Sequence, residues 1–225
     1  MQVILWFLDK FFLILSLLIA VIIHEYSHGR IAEKLGDPTA RDAGRLTFNP
    51  IVHIDPIGTI IIPIAILIMS GGAATIGWAK PVPVNPYNLN DPQKDMVKVA
   101  AAGPVSNFLV ATGAALLLRL GGILPSDIVF DVLIGRTLSI NPFLSFLAYL
   151  IFINLILGIF NLIPIPPLDG SKILQASLPR ELSWWYQKIE PYGFMIVLAF
   201  FFLFNGFSMV IMPLVQIILK LYSIH

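Results

Sequence analysis

Long apolar runs separated by short polar segments dominate this chain. The first run belongs to a helix that we predict from about Ile4 to Lys34, and further runs lie at 96–120, 143–162 and 192–221. A helix rises about 1.5 Å per residue, so about 20 apolar residues cross a hydrocarbon core about 30 Å thick. We therefore predict an all-α polytopic membrane protein with about five to six transmembrane helices.

Two apolar runs do not have the length of a single span. Residues 57–69 are too few and are typical of a re-entrant hairpin, and the proline-rich stretch 78–84 after them is predicted to be extended. Residues 192–221 are too many for one span without strong tilt. The turn signal Asn205-Gly206 near their middle predicts two short helices packed as a hairpin, within about 184–222. Residues 121–142 are predicted to be a loop.

Composition supports a membrane protein built as one unit, 1–225. Of the 225 residues, 57% are hydrophobic and 12% are charged, whereas soluble domains carry about 25% charged residues. The lipid bilayer is therefore an expected partner. The net charge of +1 argues against a nucleic-acid partner. Because the chain has no cysteine, any bound metal must be held by His, Asp or Glu side chains.

A five-residue motif, His24-Glu25-Tyr26-Ser27-His28, closes the first apolar run. Two histidines four residues apart lie on one face of a helix, so both imidazoles can reach one metal ion, and the glutamate can act on a water there. Ionisable residues in a membrane helix are costly and usually functional. The motif predicts a zinc site that hydrolyses peptides within the membrane. The competing interpretation is a packed histidine pair beside a surface glutamate.

A catalytic zinc needs a third protein ligand, which must come from elsewhere in the chain. The candidates are Asp37, Asp42, His53, Asp55, Asp169 and His225. Asp169 is the best of these on physical grounds, because it follows an apolar span and a proline-rich break that can turn its side chain inward. An equally good reading of Asp169 is the N-cap of the helix predicted at 171–178. Spacing alone does not decide between them.

Three motifs together resemble the site-2 protease family of intramembrane zinc proteases, peptidase family M50. They are His24-Glu25-Tyr26-Ser27-His28, Ala102-Gly103-Pro104, and the stretch 161–170 with Asn161, Pro164, Leu168, Asp169 and Gly170. The stretches 46–50, 53–58 and 77–83 are similar to a compact prokaryotic branch without PDZ-like or CBS-like modules. The match covers residues 15–180, and the catalytic core is expected within about 4–180.

The resemblance implies one zinc ion per chain, bound by His24, His28 and Asp169. It also implies that Glu25 is the general base and that Asn161 contacts the substrate or its oxyanion. The implied substrate is a transmembrane protein or peptide that is locally unwound, because a carbonyl within a helix is already hydrogen-bonded. The oligomeric state stays open.

The zinc assignment has a consequence for topology. The two histidines lie near the end of the first apolar helix, whereas Asp169 follows the fourth apolar run. If every segment between them were a full span, they would lie on opposite sides of the membrane. One segment must therefore enter and leave on the same face, and the short run 57–69 is the one that fits.

Basic residues orient the chain in the membrane. On the predicted catalytic side lie Arg30, Lys34, Arg41, Arg45, Lys80, Lys94, Lys98, Lys172, Arg180 and Lys188. On the other side lie Lys10, Arg119 and Arg136, with Lys220 unassigned. Because basic residues concentrate in cytoplasmic loops, the excess predicts an active site towards the cytoplasm of a prokaryotic cell membrane.

Two other functions are compatible with parts of the pattern. A membrane metal-ion transporter would need polar residues at all depths on several helices, and the runs 96–118 and 192–219 offer few. A catalytically inactive membrane scaffold would not need Glu25, which is intact. The sequence therefore favours the protease.

Overall fold

The computed structural model describes residues 2–69, 77–134 and 141–223, and no strand occurs among them. The helices are α1 (Gln2–Lys34), α2 (Thr39–Asp42), α3 (Ile62–Met69), α4 (Pro92–Leu120), α5 (Pro125–Leu133), α6 (Pro142–Asn161), α7 (Asp169–Ser177), α8 (Arg180–Ile189), α9 (Gly193–Phe202) and α10 (Met212–Ser223). Short 3₁₀-helices occupy Pro50–His53, Pro86–Asn88 and Glu190–Tyr192, and π-helical turns occupy Pro56–Ile61 and Phe207–Ile211.

The predicted class, an all-α polytopic membrane protein, is confirmed, but with fewer spans than expected. Within the described residues, α1, α4 and α6 are long and apolar enough to cross a membrane. The count becomes four if the bent pair Glu181–Phe202 and Phe207–Ser223 forms one span. The two pieces of this pair meet the length and hydropathy requirements only together, so they add at most one span to the count.

The ends of the long helices follow local chemistry. Gly36, after the end of α1, has φ +107°, a conformation that glycine adopts without the steric cost of a side chain. The Asp91 side chain accepts from the N–H of Lys94 and caps α4, which begins four residues earlier than its apolar run. Asn141 caps α6 in the same way, through the N–H of Phe143. The long spans thus begin and end close to where the sequence places them.

Helices α1, α4 and α6 pack together as the core of the fold. Their contacts use small side chains: Ala20, Ala111, Ala115 and Ala148 are at most 2% exposed. Small residues let helix backbones approach closely. Close packing matters in a bilayer because lipid is as apolar as the helices, so the hydrophobic effect does not drive them together. Large apolar side chains on the outer faces, such as Phe7 and Leu109, stay exposed, as expected of surfaces that meet lipid.

The described residues before and after the short run 57–69 are hydrogen-bonded to each other. Asp55 caps its first turn, accepting from the N–H groups of Gly58 and Ile57, and these bonds hold the pKa of Asp55 below its usual range. After α3 and residues 70–76, which lie outside the described residues, the N–H of Trp78 donates to the carbonyl of Gly58 over 3.0 Å. Entry and exit therefore lie side by side, as a re-entrant segment requires.

Two sequence-based predictions are corrected in the second half of the chain. The predicted loop 121–142 contains α5, whose buried Val129 and Val132 pack in the core; a helix this short is stabilised by such packing rather than by its own pattern. The predicted C-terminal hairpin is a broken helix. The break falls at Asn205, which has φ +50°, but the two pieces are bent by 73° rather than folded back on each other.

Candidate metal centre

Helix α1 brings His24 and His28 to one point in the interior. The two side chains are one turn apart and buried, with 7% and 8% of their residue surfaces exposed. Their Nε2 atoms lie 3.0 Å apart. The Oδ2 atom of Asp169 lies 3.1 Å from each of these nitrogens. Three side chains from α1 and α7 thus converge on one small volume, although His24 and Asp169 are 145 positions apart in the chain.

Asp169 is not the N-cap of α7. The N-cap position is held by Leu168, and Asp169 is the first helical residue, with its carboxylate on the two imidazoles. The N-cap interpretation was therefore wrong. The loop that turns Asp169 inward follows the end of α6, as the prolines at 164, 166 and 167 predict.

Four of the other third-ligand candidates have different roles. The buried Asp37 carboxylate accepts from Thr39, from the N–H of Asn85 and from the Asn88 amide, and so joins two loops. His53 Nε2 lies 2.9 Å from the carbonyl of Thr47, Asp55 is a cap, and Asp42 pairs with Arg41. His225 lies outside the described residues. Among the residues described, the only group of three or more His, Asp or Glu that could hold a metal ion is His24, His28 and Asp169.

Hydrogen bonds on the far side of each imidazole fix its tautomer. His28 Nδ1 lies 2.7 Å from the carbonyl of Val99, which can only accept, so Nδ1 carries the proton. His24 Nδ1 lies 2.7 Å from Oδ1 of Asn107. That oxygen also accepts, because the Asn107 amide nitrogen donates to the carbonyl of Ala20 and to Asn154. In the neutral rings both Nε2 atoms therefore present lone pairs to the cluster formed by His24, His28 and Asp169.

This donor set fits a metal ion. Two imidazole lone pairs and a carboxylate oxygen lie within 4.8 Å of one another, with no proton between them once the tautomers are set. Such a group of acceptors repels itself unless a cation lies among them. Two histidines and one carboxylate are a known ligand set of catalytic zinc, which keeps its fourth position open.

Asn107 and Asn154 are functional candidates that sequence reasoning missed. Both are 0% exposed, and together they link α1, α4 and α6 directly behind His24. A partner that holds the second nitrogen of a ligating histidine orients the ring and raises its affinity for metal. The signal was present in the sequence, since each asparagine interrupts an apolar helix, where a polar residue is costly and usually functional.

Gly103 on α4 is the point where this helix touches the cluster. A Cβ atom at Gly103 would lie 2.4 Å from Nε2 of His28 and 2.6 Å from Nε2 of His24, distances that real Cβ contacts do not reach. Only glycine therefore lets α4 pack against both imidazoles. The Ala102-Gly103-Pro104 motif marks a steric requirement of the cluster.

We expect Gly103→Ala to displace the two imidazoles and to abolish stoichiometric metal binding. Gly113 on the same helix is a matched control, because a Cβ there meets nothing within 4 Å. Gly113→Ala should bind metal normally and gain up to about 1 kcal/mol from helix propensity. Metal analysis and thermal unfolding of both purified variants make the comparison. Normal metal content in Gly103→Ala would contradict the packing argument.

Glu25 and Asn161 both line a cavity of about 360 Å³ that opens onto the cluster. Glu25 Oε2 accepts from the backbone N–H of Val82 over 2.7 Å. Asn161, the last residue of α6, uses one amide hydrogen on the carbonyl of Leu157, so a second hydrogen is left to donate. The structure thus brings all five residues singled out in the sequence to one cavity.

The chain is similar to a known protease family along most of its length. The model of "Peptidase family M50" matches residues 12–204. "Putative zinc metalloprotease YwhC" of Bacillus subtilis is 37% identical over 216 residues, which cover 94% of this chain and 91% of the relative. "Putative zinc metalloprotease Rip2" of Mycolicibacterium smegmatis is 29% identical over 187 residues, covering 81% and 63%. "Zinc metalloprotease MJ0392" of Methanocaldococcus jannaschii is 27% identical over 172 residues, covering 76% and 36%. No solved structure matches the chain.

Proposed function

Because this chain belongs to peptidase family M50, the site-2 proteases, and is an intramembrane zinc metalloprotease, we propose that it holds one zinc ion per chain through His24, His28 and Asp169. The observation that carries this proposal is the set of fixed tautomers, which turns two imidazole lone pairs towards one carboxylate oxygen. Zinc in such a site supplies Lewis-acid chemistry: it acidifies a water molecule and polarises a carbonyl group.

Glu25 is the proposed general base. It follows the first ligand directly in α1 and lines the cavity on which the ligands open. Its carboxylate takes a proton from the attacking water and returns it to the leaving amine, so one residue serves both steps. The hydrogen bond from Val82 engages one of its two oxygens.

Asn161 is the proposed oxyanion contact. Its amide donates a hydrogen bond without adding a charge, so it can stabilise the negative charge that develops on the scissile carbonyl oxygen. The bond to Leu157 in the preceding turn of α6 limits the rotation of the side chain. A donor held in this way needs little reorganisation when the charge appears.

The proposed substrate is a transmembrane segment that unwinds locally before cleavage. The cavity of about 360 Å³ holds a few residues of extended chain but not a helix, whose diameter is about 10–12 Å. Unwinding also releases the carbonyl from its helical hydrogen bond, so that it can be attacked. The walls at Pro81, Val82 and Val84 are apolar, which suits side chains of a membrane segment.

Metal removal tests the function directly. The purified protein in lipid vesicles should cleave a reconstituted transmembrane substrate, lose this activity with a zinc chelator, and regain it when zinc is added. Cleavage that persists after the metal has been removed to below one-tenth occupancy would contradict a zinc-dependent mechanism.

We also propose that the catalytic side faces the cytoplasm of a prokaryotic cell membrane, following the excess of basic residues on that side. Single cysteines in this cysteine-free chain test it. Asp42, Tyr87 and Asp127 are exposed positions suited to labelling. Asp42→Cys and Tyr87→Cys should react with a membrane-impermeant maleimide only from the cytoplasmic face, and Asp127→Cys only from the opposite face. The reverse pattern would invert the orientation but keep the topology.

A further inference from the structure

The extended segment, residues 78–83, is hydrogen-bonded to the protein along one edge. In extended backbone, the N–H and C=O groups of one residue point to one side and those of the next residue to the other. The bonds follow this alternation and engage residues 78, 80 and 82. They are Trp78 N–H to Gly58 O (3.0 Å), Thr59 Oγ1 to Trp78 O (2.8 Å), Lys80 N–H to His53 O (2.9 Å), Arg45 Nη2 to Lys80 O (2.7 Å) and Val82 N–H to Glu25 Oε2 (2.7 Å).

Val82 is the one position between Pro81 and Pro83, and proline has no N–H. Of the three consecutive residues 81–83, only Val82 can therefore donate from its backbone. That single donor is used on the carboxylate of Glu25 rather than on another backbone carbonyl. The sequence Pro-Val-Pro thus presents one N–H group at a fixed place.

The side chain of Val82 holds the segment against α1. Val82 is 8% exposed. A Cβ added at Gly29, one turn after Glu25 on the same helix face, would lie 2.9 Å from Cγ1 of Val82. The absence of a side chain at Gly29 lets the segment lie close enough for its N–H to reach the Glu25 carboxylate. Contacts on two successive turns of α1 therefore fix the position of the donor.

From this geometry we infer that the backbone N–H of Val82 is a positioning donor that holds the Glu25 carboxylate ready to accept a proton. The inference rests on the proposed role of Glu25 as general base. A glutamate side chain has three rotatable torsions, and ordering them costs free energy on every turnover unless the folded protein already holds them in the reactive conformation. The bond holds Oε2, while Oε1 makes no hydrogen bond within the described residues and is left for the proton.

The same bond connects the base to the re-entrant segment. The extended segment is tied at Gly58 and Thr59 to the first turn of that segment and at Val82 to Glu25. A displacement of the re-entrant segment would therefore be transmitted to the base through five residues of extended backbone. The segment that joins the two is extended and contains Pro81 and Pro83.

Val82→Pro removes the N–H and keeps an apolar side chain, and Val82→Ala keeps the N–H and removes the packing group. We expect kcat of Val82→Pro to fall by about 10- to 100-fold, the scale of a misplaced catalytic group, with KM and zinc content near those of the wild type. The kcat of Val82→Ala should fall by a smaller factor. Equal losses of kcat in the two variants would overturn the inference and indicate that the packing of Val82 is what matters. An unchanged kcat in a folded Val82→Pro protein would also overturn the inference.

A second measurement does not depend on activity or on metal. In the metal-free protein labelled with ¹⁵N-valine, the Val82 amide resonance is assigned by its disappearance in Val82→Ala. Its proton should lie downfield, as expected for a donor to a carboxylate, and should move upfield in Glu25→Ala. An unmoved resonance would overturn the contact, even if Val82→Pro fails to fold. If the wild type cleaves no substrate, the proposed function fails, while this resonance still decides the contact.

Discussion

Glu25→Gln is expected to abolish cleavage of a transmembrane substrate while zinc stays bound. The amide has the shape of the carboxylate and can still accept the hydrogen bond from Val82, so the cavity keeps its form. It cannot take a proton from water at neutral pH. General-base catalysis contributes about 10²- to 10⁴-fold, so kcat should fall by at least this factor. The ligand atoms of His24, His28 and Asp169 are untouched, and metal analysis should give the wild-type zinc content.

Glu33→Gln is the matched control for this variant. Glu33 lies two turns further along α1, pairs with Arg30 and Arg41, and does not line the cavity. It should retain most of the activity, since an exposed ion pair contributes little to stability. Activity of Glu25→Gln comparable with that of Glu33→Gln would exclude Glu25 as the base. Loss of zinc in Glu25→Gln would show a structural role instead.

Asp169→Asn is expected to have the second-largest effect, because it replaces the only anionic ligand of the proposed set. The neutral amide oxygen is a weaker ligand, and rotation of the amide lets its N–H₂ group donate to the two Nε2 atoms instead. Losing a hydrogen-bond partner of a ligand costs about 10- to 100-fold in metal affinity, and we expect the loss of a ligand to exceed this. Cleavage should fall with zinc occupancy, and zinc titration of the metal-free protein measures the affinity.

Asp127→Asn is the control for charge alone. Asp127 is exposed at the start of α5, where its side chain accepts from Ser126, and it takes no part in the cluster. Its zinc affinity should equal that of the wild type. Near-stoichiometric zinc of unchanged affinity in Asp169→Asn would remove Asp169 from the ligand set.

Local pattern predicted much of the architecture. Three of the four long apolar runs became α1, α4 and α6, because backbone groups in a bilayer must be hydrogen-bonded within the segment and a helix achieves this whatever its neighbours are. The turn signal at Asn205 marked a real break. The His24-Glu25-Tyr26-Ser27-His28 spacing predicted two imidazoles on one helix face, because the period of an α-helix is fixed. These features depend on neighbouring residues in the chain, and the sequence contains them directly.

Long-range contacts decided the rest. Whether Asp169 caps α7 or joins the histidines of α1 depends on how α7 packs against α4, and no local pattern encodes that. The helix α5 is stabilised by packing against the core, and the pattern of its nine residues does not predict that packing. The C-terminal break was predictable, but the 73° angle was not, because it follows from what each piece packs against. Asn107 is 83 positions from His24, whose ring it contacts, and Val82 is 57 positions from Glu25, to which it donates. Only the tertiary structure brings each pair together.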